Sequence, residues 1–112
     1  MTDLSNRTAL ITGSLERTGL GIAHELARCG AQVILHGRTD DHRRIQAQAS
    51  FERQFNQVPN IVFGDITCPD ACLKLAQDIE SLDILVNNVG VYKPTDLLKT
   101  TAEHWRWTLS GN

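Results

Sequence analysis

The sequence is short of the features that mark several large classes of protein. Its 112 residues contain no apolar run near the roughly 18 residues that a membrane-spanning helix needs. The first seven residues carry Asp3 and have no apolar core of the kind found in secretory signals. With 11 basic against 13 acidic residues, the chain also lacks the basic excess of nucleic-acid-binding proteins. We therefore expect a cytoplasmic protein whose partners include neither a membrane nor a nucleic acid.

The spacings that bind metal ions are missing as well. The three cysteines form no CxxC pair, and the four histidines show neither HxH nor HExxH spacing. Cys68 and Cys72 fit one face of a helix, but two thiols without converging histidines make a poor metal site. We expect no bound metal and interpret the cysteines as unreactive structural thiols.

What the sequence does contain is an alternation of short apolar runs with helical patterns. This alternation predicts a single α/β domain with a doubly wound parallel sheet. The helical pattern after the second strand is the weakest, and it predicts that Ile45, Ala49 and Phe55 face the core. The last helix is predicted to open at a capping box, Thr100-x-x-Glu103, and the third at Thr67. The predicted strands are residues 8–12, 32–36, 60–63 and 83–87, and the first two predicted helices are residues 19–29 and 41–55.

The most informative local pattern lies where the first strand passes through Gly13 and Gly19 into a helix. Such a turn presents backbone N–H groups and the positive end of a helix to an anion, which favours a dinucleotide pyrophosphate. We expect Gly13 to allow the tight turn, Ser14 to offer its hydroxyl and N–H to phosphate, and Gly19 to let helix and strand approach closely. No Gly-Lys-Ser/Thr follows Gly19, so a Walker-type phosphate loop is excluded. A purely structural glycine turn stays open as an alternative at this point.

Four features follow one another along the chain: TGSLERTG at residues 12–19, Asp65-Ile66, NNVG at residues 87–90, and Asn112. In this order and spacing they resemble the amino-terminal half of a short-chain dehydrogenase/reductase. Residues 12–19, TGSLERTG, match the TGxxxGxG turn of this family, with Arg17 in place of the middle glycine. That substitution resembles the TGxxxRxG variant of pteridine reductases, in which the arginine reaches the pyrophosphate. Asp65-Ile66 is similar to the acidic pair that meets the adenine ring after the third strand.

The other two segments belong to the fourth strand and the last helix. Residues 87–90, NNVG, resemble the NNAG segment, in which Asn87 and Asn88 can bridge neighbouring strands or contact a ribose, with Gly90 closing the segment. Asn112 follows Trp105 by seven positions, where the family keeps the asparagine of its catalytic tetrad.

The resemblance implies a Rossmann-type sheet, incomplete at about four strands, in the order 3-2-1-4. Residues 1–112 would be the dinucleotide-binding part of that domain, without its carboxy-terminal catalytic half. The implied activity is hydride transfer between NAD(P)(H) and a small-molecule carbonyl or alcohol substrate, in a full-length parent that forms homo-oligomers. The implied catalytic residue is Asn112, and the implied cofactor-binding residues are Gly13, Ser14, Arg17, Gly19, Arg38, Asp65, Ile66, Asn87, Asn88 and Gly90.

The end of the second strand bears on the choice of cofactor. An acid there would select NAD through the ribose 2′-hydroxyl, whereas an arginine accommodates the 2′-phosphate of NADP. The segment carries Arg38 and no acid before Asp40, which favours NADP over NAD. Glu16 argues mildly the other way, because a carboxylate near the 2′-phosphate would repel it. An ion pair of Arg38 with Asp40 or Asp41 is the structural alternative.

The serine, tyrosine and lysine that complete the family's tetrad have no counterpart in these 112 residues. The single tyrosine, Tyr92, is followed directly by Lys93 and does not form the YxxxK spacing. We therefore expect the chain alone to lack dehydrogenase activity. A noncatalytic NADP(H)-binding or protein-interaction module is the alternative function.

Overall fold

A four-stranded parallel sheet forms the centre of the computed structural model, which describes residues 2–90 and 94–112. The sheet order is β3-β2-β1-β4, as predicted, and all three pairings are parallel. The chain moves outward from β1 to β3 and returns to the other side of β1, so the direction of winding reverses between β1 and β4. A reversal of this kind leaves a crevice outside the carboxyl ends of the strands. The strands are β1 (Thr8–Ile11), β2 (Gln32–Gly37), β3 (Asn60–Phe63) and β4 (Ile84–Val86).

Helices connect the strands and follow the last one. Among the described residues, no helix combines the length and the apolar character needed to cross a bilayer. Tyr92 and Lys93 lie outside the described residues. The helices are α1 (Arg17–Arg28), α2 (His42–Phe55), α3 (Pro69–Asp78) and α4 (Ala102–Gly111), with a short 3-10 helix at Leu97–Lys99 before α4.

The core lies between the sheet and the α1–α2 layer. Side chains alternate between the two faces of a strand, so Ala9 and Ile11 of β1 share a face with their parallel partners on β2, Val33 and Leu35. All four are buried, and Ala23 of α1 covers them with no exposed surface. The opposite face is less well covered, because α3 contributes no buried residue.

Helix α2 buries a different face from the one that its sequence predicts. Ile45 is 63% exposed and Ala49 is exposed, whereas Ala47 and Phe51 are buried. The reason is a partner on α1: the ring of His24 packs edge-on against Phe51, with ring centroids 4.6 Å apart. The prediction for Ile45 and Ala49 is therefore wrong, and half-buried Phe55 is the one member of that set that packs inward.

Two helix starts also differ from their predicted caps. Helix α4 is capped by Thr101, whose Oγ1 accepts from the N–H of His104 at 3.1 Å, one residue after the predicted position. Thr67 does not cap α3, since its hydroxyl donates to Oδ1 of Asp65 at 2.6 Å. The short side chain of Asp65 thus organises the turn that leads from β3 to α3.

Candidate functional site

A groove of about 460 Å³ lies at the carboxyl ends of the strands, where the winding of the sheet reverses. Its walls are the turn after β1, the end of β2, the segments after β3 and β4, and single residues of α2 and α4. The groove brings together most of the site residues that the sequence predicts. These are Gly13, Arg17, Gly19, Arg38, Asp65, Ile66, Asn88 and Gly90.

Three predicted site residues lie outside the lining of the groove. Ser14 is fully buried beneath the turn, where its N–H donates to the carbonyl of His36 and its hydroxyl accepts from the N–H of His36, both at 2.9 Å. Both polar groups of Ser14 therefore bond to β2. Asn87 is exposed at the end of β4. Asn112 is exposed beyond the end of α4, close to the groove residue Gly90, with its Nδ2 donating to the carbonyl of Thr108 at 2.7 Å.

The turn after β1 depends on two glycines for different reasons. Gly13 has a φ of +61°, a conformation that residues with a Cβ rarely adopt. Gly19 lies where α1 crosses the turn, and a Cβ there would overlap the carbonyl oxygen of Gly13 and approach Nδ2 of Asn88 to 2.7 Å. The close approach predicted for Gly19 is thus confirmed.

Arg17 begins α1 in an unusual backbone conformation. Its φ of +53° lies in the left-handed region, which glycine adopts more readily than other residues. This agrees with the glycine that stands at this position in the TGxxxGxG turn that the sequence resembles. No side chain within the described residues caps α1, since Glu16 at the N-cap makes no such bond. The first turn of α1 therefore offers uncapped N–H groups beside an exposed guanidinium, a combination that suits an anion.

Asn88 fastens the end of β4 to the same turn. Its Nδ2 donates to the carbonyl oxygens of Thr12 and Gly13, both at 3.1 Å. Its N–H donates to Oγ1 of Thr12 at 2.9 Å. Asn88 therefore makes the bridge between neighbouring strands that the sequence allowed, and it forms part of the floor of the groove.

His36 is a site residue that sequence reasoning missed. It is only 2% exposed, its Nδ1 accepts from the N–H of Gly13 at 3.0 Å, and its Nε2 lies 2.8 Å from the carbonyl oxygen of Gly64. Burial lowers the pKa of His36 below the ordinary histidine value, and the bond to Gly64 offsets part of that effect. A single imidazole thus joins the turn after β1 to the segment after β3.

Arg38 and Asp65 face each other at the end of the groove formed by β2 and the segment after β3. Nε of Arg38 lies 3.7 Å from Oδ2 of Asp65, while the Arg38 side chain is 75% exposed. Hydrogen bonds from Thr67, and then the charge of Arg38, hold the pKa of Asp65 below its usual value. Arg38 is paired with Asp65 rather than with Asp40 or Asp41, the partners considered from the sequence.

Arg43 of α2 also lines the groove, and no sequence signal distinguished it from an ordinary surface arginine. Its Nη2 lies 2.8 Å from Oδ2 of Asp41, and its Nη1 lies 3.4 Å from Oε1 of Glu16. These bonds hold the pKa of Asp41 well below its usual value and raise that of Arg43. Arg43 therefore partly neutralises the negative charge of Glu16, a pairing that the sequence alone does not predict.

Comparison with known proteins supplies the family. The model of the short chain dehydrogenase family matches residues 7–112. The chain belongs to this family. Gluconate 5-dehydrogenase of Gluconobacter oxydans is 34% identical over 97% of the chain, and a 3-oxoacyl-[acyl-carrier-protein] reductase of Rickettsia bellii is 36% identical over 100% of it. This membership confirms the resemblance that the four sequence segments indicated.

The solved structures agree with this membership. A short chain dehydrogenase/reductase family protein superimposes with a TM-score of 0.85 at 30% identity, with 98% of this chain and 45% of that chain covered. The chain spans less than half the length of the two relatives named above, 43% and 44% respectively.

Proposed function

We propose that these residues form the nucleotide-binding part of a short-chain dehydrogenase that transfers hydride between NADP(H) and a carbonyl or alcohol substrate. The observation that carries the proposal is the groove itself. It combines the uncapped start of α1 and the cationic Arg17 with Arg38 and Asp65 at its other end. Anionic and hydrogen-bonding groups of one extended dinucleotide match these two ends.

The donor groups of the groove fit a pyrophosphate beside the turn. Uncapped N–H groups at a helix start and a guanidinium both favour phosphate oxygens, and the guanidinium can bond two of them at once. We propose that Gly13, Arg17 and Gly19 form this part of the site, with Asn88 and Gly90 below the nicotinamide half. Ser14 would act from beneath, by holding the turn to β2.

The end of the groove at Arg38 and Asp65, where we place the adenosine, supports NADP over NAD. The carboxylates nearest to Arg38 in sequence have other partners, since Asp40 pairs with Arg44 at 2.6 Å and Asp41 with Arg43 at 2.8 Å. Arg38 contacts Asp65 only as an ion pair at 3.7 Å, and its side chain is 75% exposed. Its guanidinium can therefore turn toward a 2′-phosphate while Asp65 and Ile66 meet the adenine. Because Arg43 partly neutralises the charge of Glu16, that carboxylate would repel a 2′-phosphate less, and its presence argues less strongly against NADP.

Arg38 provides the test of this proposal, with Arg44 as its matched control. We expect Arg38→Ala to weaken NADP⁺ binding about tenfold and to leave NAD⁺ binding unchanged, because one charge-assisted bond to the 2′-phosphate is lost. Arg44→Ala removes an arginine of the same region that pairs with Asp40 and lies outside the groove lining, so it should change neither affinity. Titration calorimetry of the wild type and the two variants with both cofactors measures the six dissociation constants. Equal losses for NADP⁺ and NAD⁺ would contradict the choice of cofactor.

The reaction needs more than nucleotide binding. A bound nicotinamide ring would supply or accept the hydride. We propose that Asn112, close to Gly90 at the rim of the groove, holds a water on the proton path, as its place in the family's tetrad implies. Because these 112 residues contain no YxxxK pair, we expect the chain alone to bind nucleotide without oxidising or reducing a carbonyl substrate. Turnover at an ordinary enzymatic rate by the purified chain would contradict that expectation.

A further inference from the structure

The ring of His36 lies where three segments of the groove meet. It projects from the end of β2, its Nδ1 faces the N–H of Gly13, and its Nε2 faces the carbonyl oxygen of Gly64. A backbone N–H can only donate and a carbonyl can only accept. The partners therefore require the neutral imidazole with its hydrogen on Nε2.

Only two of the bonds at this junction depend on the ring. The backbone of His36 bonds separately to Ser14 through one carbonyl and one N–H, each at 2.9 Å. Those two bonds survive any substitution that leaves the backbone in place. The hold on Gly13 and the link to Gly64 can thus be removed without detaching the turn from β2.

We propose that His36 is a positioning residue for the nucleotide site, whose neutral imidazole holds Gly13 in its left-handed conformation and ties the turn to the segment before Asp65. The inference rests on the proposed nucleotide function and assigns that site a dependence on pH. A second proton on the ring would place an N–H against the N–H of Gly13. The turn that leads into α1 would then lose one of its supports, the bond from Gly13 to the ring, and the nucleotide would bind more weakly.

The other charged groups of the junction balance one another. Glu16 and Arg17 come from the start of α1, Arg38 from the end of β2, Asp65 from the segment after β3, and Arg43 with its partner Asp41 from α2. Three are cationic and three are anionic, so the groove does not surround the ring with charge of one sign. Burial lowers the pKa of His36 and so favours the neutral ring.

Three variants separate the two ring bonds from the rest of the fold. The amide oxygen of an asparagine can replace Nδ1 as the acceptor for Gly13 and does not titrate, so His36→Asn should keep most of the affinity. His36→Leu removes both bonds and should weaken binding about threefold to tenfold at neutral pH. His42→Gln, at an exposed histidine of α2, is the control and should behave as the wild type.

The decisive experiment measures NADP⁺ affinity of the 112-residue chain by calorimetry between pH 4.5 and 8, with the Gly13 amide followed by NMR over the same range. The 2′-phosphate itself titrates near pH 6, so each variant is compared with the wild type at the same pH. We expect the wild type and His42→Gln to lose affinity about threefold to tenfold more than His36→Asn on acidification. The Gly13 amide shift should follow the titration of the His36 ring.

Two results would overturn the proposal: an equal loss of affinity in His36→Asn and the wild type, or a Gly13 amide that does not respond when His36 titrates. Should His36→Leu fail to fold, the asparagine variant and the wild-type NMR titration still decide. If no nucleotide binds at any pH, the proposed function fails, while the Gly13 shift reports separately whether His36 holds the turn.

Discussion

At the scale of single residues, Arg17 combines two opposing effects. Its guanidinium lies beside the uncapped start of α1, where it favours phosphate, while its φ of +53° is unfavourable for a residue with a Cβ. A glycine at this position would relieve the backbone and remove the charge. If Arg17 binds phosphate as we propose, the position exchanges some stability for that electrostatic contact.

Substitution of Arg17 by glycine and by alanine separates the two effects. We expect Arg17→Gly to be more stable than Arg17→Ala by about 1 kcal/mol, because only glycine adopts a left-handed φ without strain. Both variants should bind NADP⁺ about tenfold more weakly, since both lose the same guanidinium. Urea unfolding gives the free energies and calorimetry gives the affinities. Identical stabilities would show that the φ of Arg17 carries no strain, and unchanged affinities would remove Arg17 from the pyrophosphate site.

At the scale of secondary-structure elements, the contact between α1 and the turn after β1 depends on the absence of a side chain at Gly19. A Cβ there would overlap the Gly13 carbonyl oxygen. Two positions later on the same helix, Gly21 is exposed, and apart from its chain neighbours and the backbone of α1 no atom lies within 4 Å of the place that a Cβ would occupy. The two glycines therefore make a matched pair on one helix.

Alanine at these two positions should change stability in opposite directions. We expect Gly19→Ala to lower the free energy of unfolding by about 1–3 kcal/mol, as overpacking does, and to impair NADP⁺ binding because α1 moves from the turn. Gly21→Ala should raise it by about 1 kcal/mol through helix propensity alone, with binding unchanged. Thermal or urea unfolding of both variants tests this. Gly19→Ala with wild-type stability would mean that α1 does not lie against the turn in solution.

Much of the fold follows from the sequence because its signals are local. The parallel α/β sheet follows from the alternation of elements, and the glycines at 13 and 19 indicate the turn without knowledge of any partner. The strand order 3-2-1-4 comes from the family resemblance, and the structure has that order. The buried face of α2 and the part played by His36 depend instead on residues distant in sequence. Phe51 faces inward against His24, and His36 reaches Gly13 and Gly64, 23 and 28 positions away. A pattern read along one helix or strand does not contain such partners.

The pairing of Arg43 with Glu16 is a second case. Arg43 stands in the first turn of α2, 27 positions from the carboxylate that it partly balances. From the sequence, Glu16 counts against NADP and Arg43 has no assigned part. Their contact arises only when α2 folds beside the start of α1, so the electrostatics of the groove follow from the tertiary structure.

At the scale of the whole molecule, buried apolar side chains concentrate on the α1–α2 side of the sheet, and large exposed ones occur on the 3-10 helix and α4. The α1–α2 side of the sheet holds the core, while α4 buries only Gly111. The radius of gyration, 15.6 Å, exceeds the roughly 13 Å of a compact chain of this length. Leu97 and Leu98 of the 3-10 helix are 75% and 93% exposed, and Trp105 of α4 is 51% exposed. A surface of this kind favours association.

We therefore expect the 112-residue chain to self-associate as its concentration rises, with the 3-10 helix and α4 at the contact. Leu97→Ser combined with Leu98→Ser should shift the association to higher concentration, because it removes exposed apolar area without touching the groove. Ile45→Ser, at a side chain 63% exposed on α2, is the matched control and should leave association unchanged. Sedimentation velocity across a dilution series measures the effect, and NADP⁺ affinity checks that each variant is folded. If the double variant associates as the wild type does while Ile45→Ser does not, the contact lies on the α2 side instead, and the exposed leucines before α4 have no part in it.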